Sequence, residues 1–422
     1  MNVKEIEISN GVILHILKTD RFKTNYIVIN ILSKLDRTTI TKNALLPLVL
    51  RRGSQRFKTM KDISVKLEDM YGASLDANTE KVGNYSTIQF MMDMISDEYT
   101  LDKTDILKDG IGLIDEILLN PLIENGHFKK EYVDQEKDAL KELINSKIND
   151  KGTYAADRTV EEMYSGSPYG IYKLGYVEDL DSINEENLYE YYKVLLQTTE
   201  IHIYVSGNVN EEYIEKLFRN DFDIIDRHAF VVQGTIDKEE LGNDKEVIER
   251  QNVTQGKLVL GYEFKSSNLV EDFYKMSLYS AVLGGTASSK LFNNVREKKS
   301  LAYTIRSQYI KHKGALFVSA GIEIDKFEIA KESILKEIED MSKGNITDDE
   351  LNDAKVNLIT AFRTFNDSQS ALIAWLIGQR ILGASEDVDT VIDRLQKVSK
   401  DEVIEAANRL MPRITYFLTS EQ

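Results

Sequence analysis

The sequence predicts an α/β (α+β) protein made of two homologous, duplicated α/β domains, and three observations carry that prediction. The first is size: 422 residues are too many for one hydrophobic core and suit two domains of about 200 residues each. The second is the alternation of strand and helix periodicity along the chain. The third is an order of elements that occurs twice.

Residues Lys4 to Ser9 alternate, Asn10-Gly11 is a type I′ turn pair, and Val12 to Leu17 resumes the strand pattern, so the chain opens on a β-hairpin. A strand over Asn25 to Leu32 follows, then an apolar helical stretch from Asn43 to Leu50 that Gly53 ends. Longer helices are expected at Met60 to Met70, Asp105 to Leu119 and Lys129 to Lys147, and a chain with only 4 prolines has few breakers to interrupt them.

The repeat has three parts. Helix, strand, glycine turn and strand occur at Asp69 to Phe90 and again at Lys299 to Ser319, with Gly83 matching Gly314. Asn149-Asp150 and Gly166 correspond to Asn366-Asp367 and Gly383. Asn184, Leu188, Tyr192 and Leu195 correspond to Ser399, Val403, Ala407 and Leu410, a helix cap followed by an apolar stripe. Each half then closes on a strand, Ile201 to Val205 and Ile414 to Leu418. The stretch between Asn220 and Gln251 is polar, charged and weakly periodic. It divides the chain into a domain over 1–222, a linker over 223–250 and a domain over 251–422.

Composition excludes several classes. A net charge of −17 repels phosphate backbones and anionic lipid, so neither nucleic acid nor membrane is an expected partner. The longest apolar runs, such as Leu45 to Leu50, fall far short of the about 20 residues a spanning helix needs. Lys4, Glu5 and Glu7 interrupt the N-terminus where a secretory signal would have its apolar region, so a cytoplasmic location is expected. The absence of cysteine removes disulfides, thiolate metal sites and cysteine nucleophiles together. A serine-hydrolase elbow and a Walker loop are also missing.

The most specific segment is Leu291 to Tyr303, LFNNVREKKSLAY, preceded by Leu283-Gly284-Gly285-Thr286 and followed by Gly314 and the strand Ala315 to Ala320. It resembles the C-terminal-domain signature of the pitrilysin or insulinase-like zinc peptidases, which include the mitochondrial processing peptidase. The order of elements matches that family over nearly the whole chain. The resemblance implies domains whose mainly antiparallel sheets are covered by helices, together forming half of a clam-like chamber. It also implies that Arg296 and Tyr303 face substrate, where a guanidinium and a phenol can donate to a peptide carbonyl or a developing oxyanion. Gly284 and Gly285 resemble the segment that takes part in substrate capture in non-catalytic mitochondrial subunits. Read from the residues alone, Arg296 pairs with Glu297, Tyr303 is a strand aromatic, and the glycines make a tight turn.

The departure from the family is equally informative. Active members carry His-x-x-Glu-His on the first long helix, two zinc ligands and a general base. Aligned on Gly53-Ser54, that motif falls on Ala44-Leu45-Leu46-Pro47-Leu48. Ala44 and Leu48 stand for the histidines and Pro47 for the glutamate. The third ligand of the family is a glutamate on a later helix, and Glu136 and Glu142 flank its place. The 5 histidines, His15, His127, His202, His228 and His312, include no two within one helical turn. No metal, cofactor or catalytic residue is therefore assigned to this chain.

The resemblance implies a non-catalytic subunit of a heterodimeric zinc metallopeptidase, with zinc in a homologous partner and a peptide or small protein as substrate. A structural scaffold and a stand-alone peptide-binding protein are the alternatives. One bacterial group of zinc-less members, which the chain broadly resembles, is associated with translation elongation factor P modification.

Overall fold

The computed structural model describes residues 3–101, 104–222, 224, 227–230, 242 and 244–421. They divide into two compact units, one of 1–146 with 171–233 and the other of 147–170 with 234–422.

The first unit begins with β1 (Lys4–Ser9), β2 (Val12–Lys18), β3 (Thr24–Lys34), α1 (Ile40–Leu50), α2 (Met60–Asp69), β4 (Ser74–Val82), β5 (Tyr85–Ile95) and α3 (Ile106–Leu119). The short pair β6 (Ile123–Glu124) and β7 (His127–Phe128) and the helix α4 (Lys130–Ser146) come next. After α5 (Lys151–Met163), which belongs to the second unit, the chain returns with α6 (Val177–Leu180), α7 (Glu185–Thr198), β8 (Glu200–Gly207) and α8 (Glu211–Asp221). The strands form one sheet in the order β1-β2-β8-β3-β5-β4, antiparallel except for the β2–β8 pair. Alternate residues of the sheet (Leu14, Ile16, Ile27, Ile29, Ile203, Phe90) join Leu45, Leu46, Ile114 and Leu188 from the helices in one core.

The second unit contains β9 (Lys245–Arg250), β10 (Gly256–Phe264), α9 (Leu269–Ser280), β11 (Thr304–Ile310), β12 (Ala315–Ile322), α10 (Phe327–Ser342), α11 (Asp348–Phe365), α12 (Gln369–Leu382), α13 (Val388–Lys397), α14 (Lys400–Ala407) and β13 (Leu410–Thr419). Its sheet runs β11-β12-β10-β13-β9, again antiparallel except for one pair, β13–β9. Read from the other end, β9-β13-β10-β12-β11 matches β2-β8-β3-β5-β4 strand for strand, so the duplication seen in the sequence is a duplication of topology.

The repeat marks have physical counterparts. Asn184 and Ser399 both cap their helices through reciprocal capping boxes, with Asn187 and Glu402. Leu188, Tyr192 and Leu195 are buried, as are Val403 and Ala407; Leu410 has moved into β13. Asp150 caps α5, whereas α12 is capped by Ser368, one residue after the expected Asn366-Asp367.

Two features lay beyond the sequence pattern. Part of the stretch 223–250 lies outside the described residues, but its last six form β9, the counterpart of β2 rather than a linker. In addition, α5 crosses to the second sheet. Its Ala155, Thr159 and Met163, spaced four apart, are buried. Ala155 and Met163 join Val259, Phe317, Ile414 and Tyr416 in a shared core. Gly261 gives the helix room, since a Cβ there would stand 2.9 Å from the Met163 sulfur.

The end of the first unit is strapped down by a buried cation that, among the described residues, is held by carbonyls. Arg227 is 6% exposed. Its guanidinium donates to the carbonyls of Asn10 (2.7 Å), Gly11 (3.4 Å), Leu196 and Thr199, and burial pushes it down to about 10. Arg227→Ala leaves several buried carbonyls without a donor, so the expected loss is about 3 kcal/mol of stability. A denaturant titration checks it, and an unchanged midpoint would show that water replaces the guanidinium.

Candidate functional site

The helix onto which the resemblance places the metal motif is built to be inside. In α1, Ala44 (3% exposed), Leu45 (0%) and Leu46 (1%) are buried, Pro47 is buried as well, and Leu48 packs on the same core. These positions offer hydrocarbon where a zinc site would need imidazole nitrogen, so the donor set does not fit the ion.

Pro47 cannot donate to the carbonyl of Asn43 four residues back. The fold supplies another donor: the buried Thr79 hydroxyl, from β4, donates to that carbonyl at 3.0 Å. The fully buried Asn43 side chain is satisfied too, accepting from the Tyr191 hydroxyl and donating to Ser33 Oγ at 2.9 Å. The proline is thus integrated into the packing.

The two carboxylates that flank the family's third-ligand position are separated by their surroundings. Glu142 on α4 is exposed. Glu136, on the same helix, accepts from Arg52 Nη1 at 3.2 Å, beside the Arg52 guanidinium's bond to Gln135 Oε1 at 2.5 Å. Burial raises the Glu136 carboxyl above its ordinary range despite the opposing pull of Arg52 and Arg51. An arginine therefore occupies one of the two carboxylates the alignment pointed to.

The arginine–tyrosine signature sits in the second unit on a helix–turn–strand. Residues Ala281–Gly285 continue α9 as a π-helical turn, and Leu291–Lys298 are also π-helical, a winding frequent at functional sites. Gly284 is a packing residue without positive φ. A Cβ there would lie 2.7 Å from the Ser307 amide nitrogen of β11 and 2.9 Å from Leu291. The glycine segment, the Arg296 helix and β11 are thereby brought together, while Gly285 is exposed. The turn is closed by Ser300 N–H to Arg296 O (3.1 Å) and Leu301 N–H to Val295 O (3.0 Å), and Ser300 adopts φ +52°.

Both named side chains reach solvent and both have neighbours in the chain. The Arg296 side chain is 39% exposed, 3.7 Å from Glu297, with its guanidinium 4.6 Å from the Phe292 ring centre. Tyr303 is 55% exposed and donates to Glu323 at 3.2 Å, a bond that raises the phenol above its ordinary range. It immediately precedes β11, an edge strand of its sheet.

One pairing had no signal in the sequence. His15 on β2 and His202 on β8 lie 2.9 Å apart. The other nitrogen of His202 is 3.1 Å from Glu200, and His15 Nδ1 is 3.4 Å from Glu5. The four groups run head to tail rather than around a common point. Among the described residues no group of three or more His, Asp or Glu is arranged to hold a metal. The pairing of β2 with β8 brings these two residues, distant in sequence, together.

Fold and site together define a class: a duplicated α/β protein of the pitrilysin type whose motif helix offers no metal donor. Comparison with known proteins agrees. Residues 182–358 match the family model described as peptidase M16 inactive domain. The chain is 31% identical over 408 residues, 97% of its length and 96% of the relative's, to a protein of Bacillus subtilis (strain 168) named probable inactive metalloprotease YmfF. It is 24% identical over 365 residues (82% of this chain, 85% of the other) to the uncharacterized zinc protease YmxG of the same strain. A conserved protein from Enterococcus faecalis V583, known from a crystal structure, superposes with a TM-score of 0.89 at 26% identity, covering 100% of this chain and 99% of that one. The chain belongs to the peptidase M16 family.

Proposed function

We propose that this chain is the non-catalytic subunit of a heterodimeric zinc metallopeptidase, and that it binds peptide opposite a homologous, zinc-bearing partner. One contrast carries the reading. The three metal-motif positions are closed into a satisfied core, whereas Arg296 and Tyr303 remain at the surface on a built helix–turn–strand. A chain that had only decayed would have no reason to refine one region and spare the other.

In this reading the substrate lies extended along β11, whose outer edge pairs with no strand among the described residues, and backbone hydrogen bonding accepts many sequences. Arg296 and Tyr303 supply donors to the scissile carbonyl. Gly284 holds the Arg296 helix close to β11, and the exposed Gly285 shapes the surface the peptide meets. The two Bacillus subtilis relatives support the pairing, because one strain holds a probable inactive metalloprotease and a zinc protease of this family. A cytoplasmic location belongs to the same proposal.

Purified alone, the chain is expected to hold no stoichiometric zinc and to cleave no peptide. Recombined with a zinc-bearing homologue from the same organism, it should raise turnover. Arg296→Ala or Tyr303→Phe should lower that turnover by about ten- to a thousand-fold, the range for a lost oxyanion donor. Chelator-sensitive cleavage by the isolated chain would refute the reading; two silent variants in an active complex would refute the site.

A scaffold role is the second reading, and one observation favours it: Arg296 and Tyr303 already have partners, Glu297 with Phe292 and Glu323. Complex formation without any gain in turnover would select it. A peptide bound by the chain alone, with no effect of a zinc subunit, would instead select a stand-alone peptide-binding protein.

A further inference from the structure

Residues 298–322 contain no Asp or Glu, in a chain where 70 of 422 residues are acidic. They do contain Lys298, Lys299, Arg306, Lys311 and Lys313. The stretch comprises β11, the turns on either side of it, and β12. Neutral groups meet its cations. Lys298 Nζ donates to Asn294 Oδ1 at 2.9 Å and Lys299 Nζ to Ser333 Oγ at 3.2 Å. Lys311 Nζ rests 3.9 Å from the ring centre of Trp375 on α12. Among the described residues, no ion pair joins Lys298, Lys299, Arg306 or Lys311 to a carboxylate. Glu323, where acidic residues resume, is engaged by Tyr303 at 3.2 Å and by Lys326 at 2.9 Å.

Arg306 stands at the middle of β11. The strand alternates: Thr304, Arg306 and Gln308 are exposed, while Ile305 and Ser307 between them are buried. Arg306 lies opposite Ser319 of β12, with Gly321 and Phe317 on either side, so the neighbouring strand offers its guanidinium no anion. Among the described residues it makes no hydrogen bond, ion pair or ring contact, and no strand pairs with the outer edge of β11. A solvated surface arginine, or a charge that keeps foreign strands off an edge, is the ordinary reading of such a side chain. Neither accounts for an edge without acids in a chain of net charge −17.

We infer that the β11 edge selects acidic peptide segments, with Arg306 as the residue that pairs with a carboxylate of the added strand. The inference rests on the reading that substrate lies extended along β11. Side chains of an added strand alternate between the two faces of the sheet. The selected residue is therefore three places from the one opposite Tyr303, about 10 Å along the strand. Thr304 and Gln308 flank Arg306 on its face and bring no competing charge. The net charge of the chain does not cancel the effect. Physiological salt screens charges beyond about 8 Å, so a carboxylate opposite Arg306 meets that guanidinium rather than distant acids.

The full chain is titrated with two labelled, capped heptapeptides of alternating valine and serine, one with a central glutamate and the other with a central glutamine. Fluorescence anisotropy at low salt should show the glutamate peptide binding about two- to fivefold tighter, the range of one cross-strand charge pair. Salt at about 0.5 M should erase the difference. Arg306→Gln should remove the preference, and Arg306→Glu should turn it toward a central-lysine peptide. A charge that merely guards the edge produces no such inversion. Hydrogen exchange locates the peptide: the amides of residues 304–310 should slow on binding. Slowed exchange there with equal affinities for the glutamate and glutamine peptides would overturn the acidic preference and leave the β11 reading standing. Unchanged exchange at β11 with either peptide would overturn both.

Discussion

A variant carrying Ala44→His, Pro47→Glu and Leu48→His together is expected to bind no stoichiometric zinc and to lose more than about 5 kcal/mol of stability. Ala44 is 3% exposed and lies among Leu45, Leu46 and Ile114. An imidazole in the space of a methyl overpacks the core at a cost of about 1–3 kcal/mol. Removing Pro47 restores a helical N–H, but Asn43 O already accepts from Thr79, so little is gained. A glutamate at the buried position 47 must shed its hydration, which costs several kcal/mol as an ion or shifts it to the neutral form. The third donor is missing as well, because Arg52 holds Glu136 and Glu142 points its carboxylate into solvent on an exposed position. Thermal unfolding and metal analysis after dialysis check the two halves of the statement. Tight one-to-one zinc with peptide cleavage would mean that the site is merely vacant, not rebuilt, and would sink the structural basis of the proposed role.

The second large effect is expected at Glu249, which fastens the crossover helix α5 to the second sheet. Its carboxylate accepts from Tyr154 (2.6 Å), Tyr416 (2.7 Å) and Gln251 (2.7 Å), with Arg158 Nε at 3.4 Å. Tyr416 is fully buried. Glu249→Ala strands its hydroxyl and releases Tyr154 and Arg158 of α5, for a loss of about 4 kcal/mol. Glu249→Gln keeps the shape but loses the charge and turns one acceptor into a donor, so an intermediate loss is expected.

The same carboxylate makes a pH prediction. Burial works against its ionisation, but the hydrogen bonds from Tyr154, Tyr416 and Gln251 and the Arg158 charge outweigh burial and hold it below the ordinary glutamate range. A depressed carboxyl stabilises the fold fully above its unfolded pKa, about 4.3, and that stabilisation is lost as pH falls through the folded value. Between pH 6 and 3 the parent chain should therefore lose stability faster than Glu249→Gln. Parallel curves would show that Glu249 is not the linked group.

The legible parts of this fold were those where neighbours in sequence are neighbours in space. The β1–β2 hairpin followed from Asn10-Gly11, where Gly11 adopts φ +68°. The caps at Asn184 and Ser399 followed from side chains that reach their own helix within three residues. The loss of the metal motif at Ala44, Pro47 and Leu48 was equally legible, since a helix with no imidazole on one face offers none whatever it packs against. The clustering of Gly284, the Arg296 helix and β11 was suggested only by resemblance. Its physical cause, a missing Cβ facing the Ser307 amide, needed coordinates.

Local chemistry in the chain thus settled the duplicated α/β plan, the helix and hairpin signals and the lack of a zinc-binding helix face. Long-range packing decided that α5 belongs to the second sheet, that β9 opens the second repeat, that His15 meets His202 across 187 residues, and that Lys311 rests on Trp375. Periodicity specifies which face of an element is apolar but not which of two apolar sheets will cover it. That choice is made by complementary surfaces such as the Met163–Gly261 contact and by polar groups such as Glu249, whose partners are scattered along the chain.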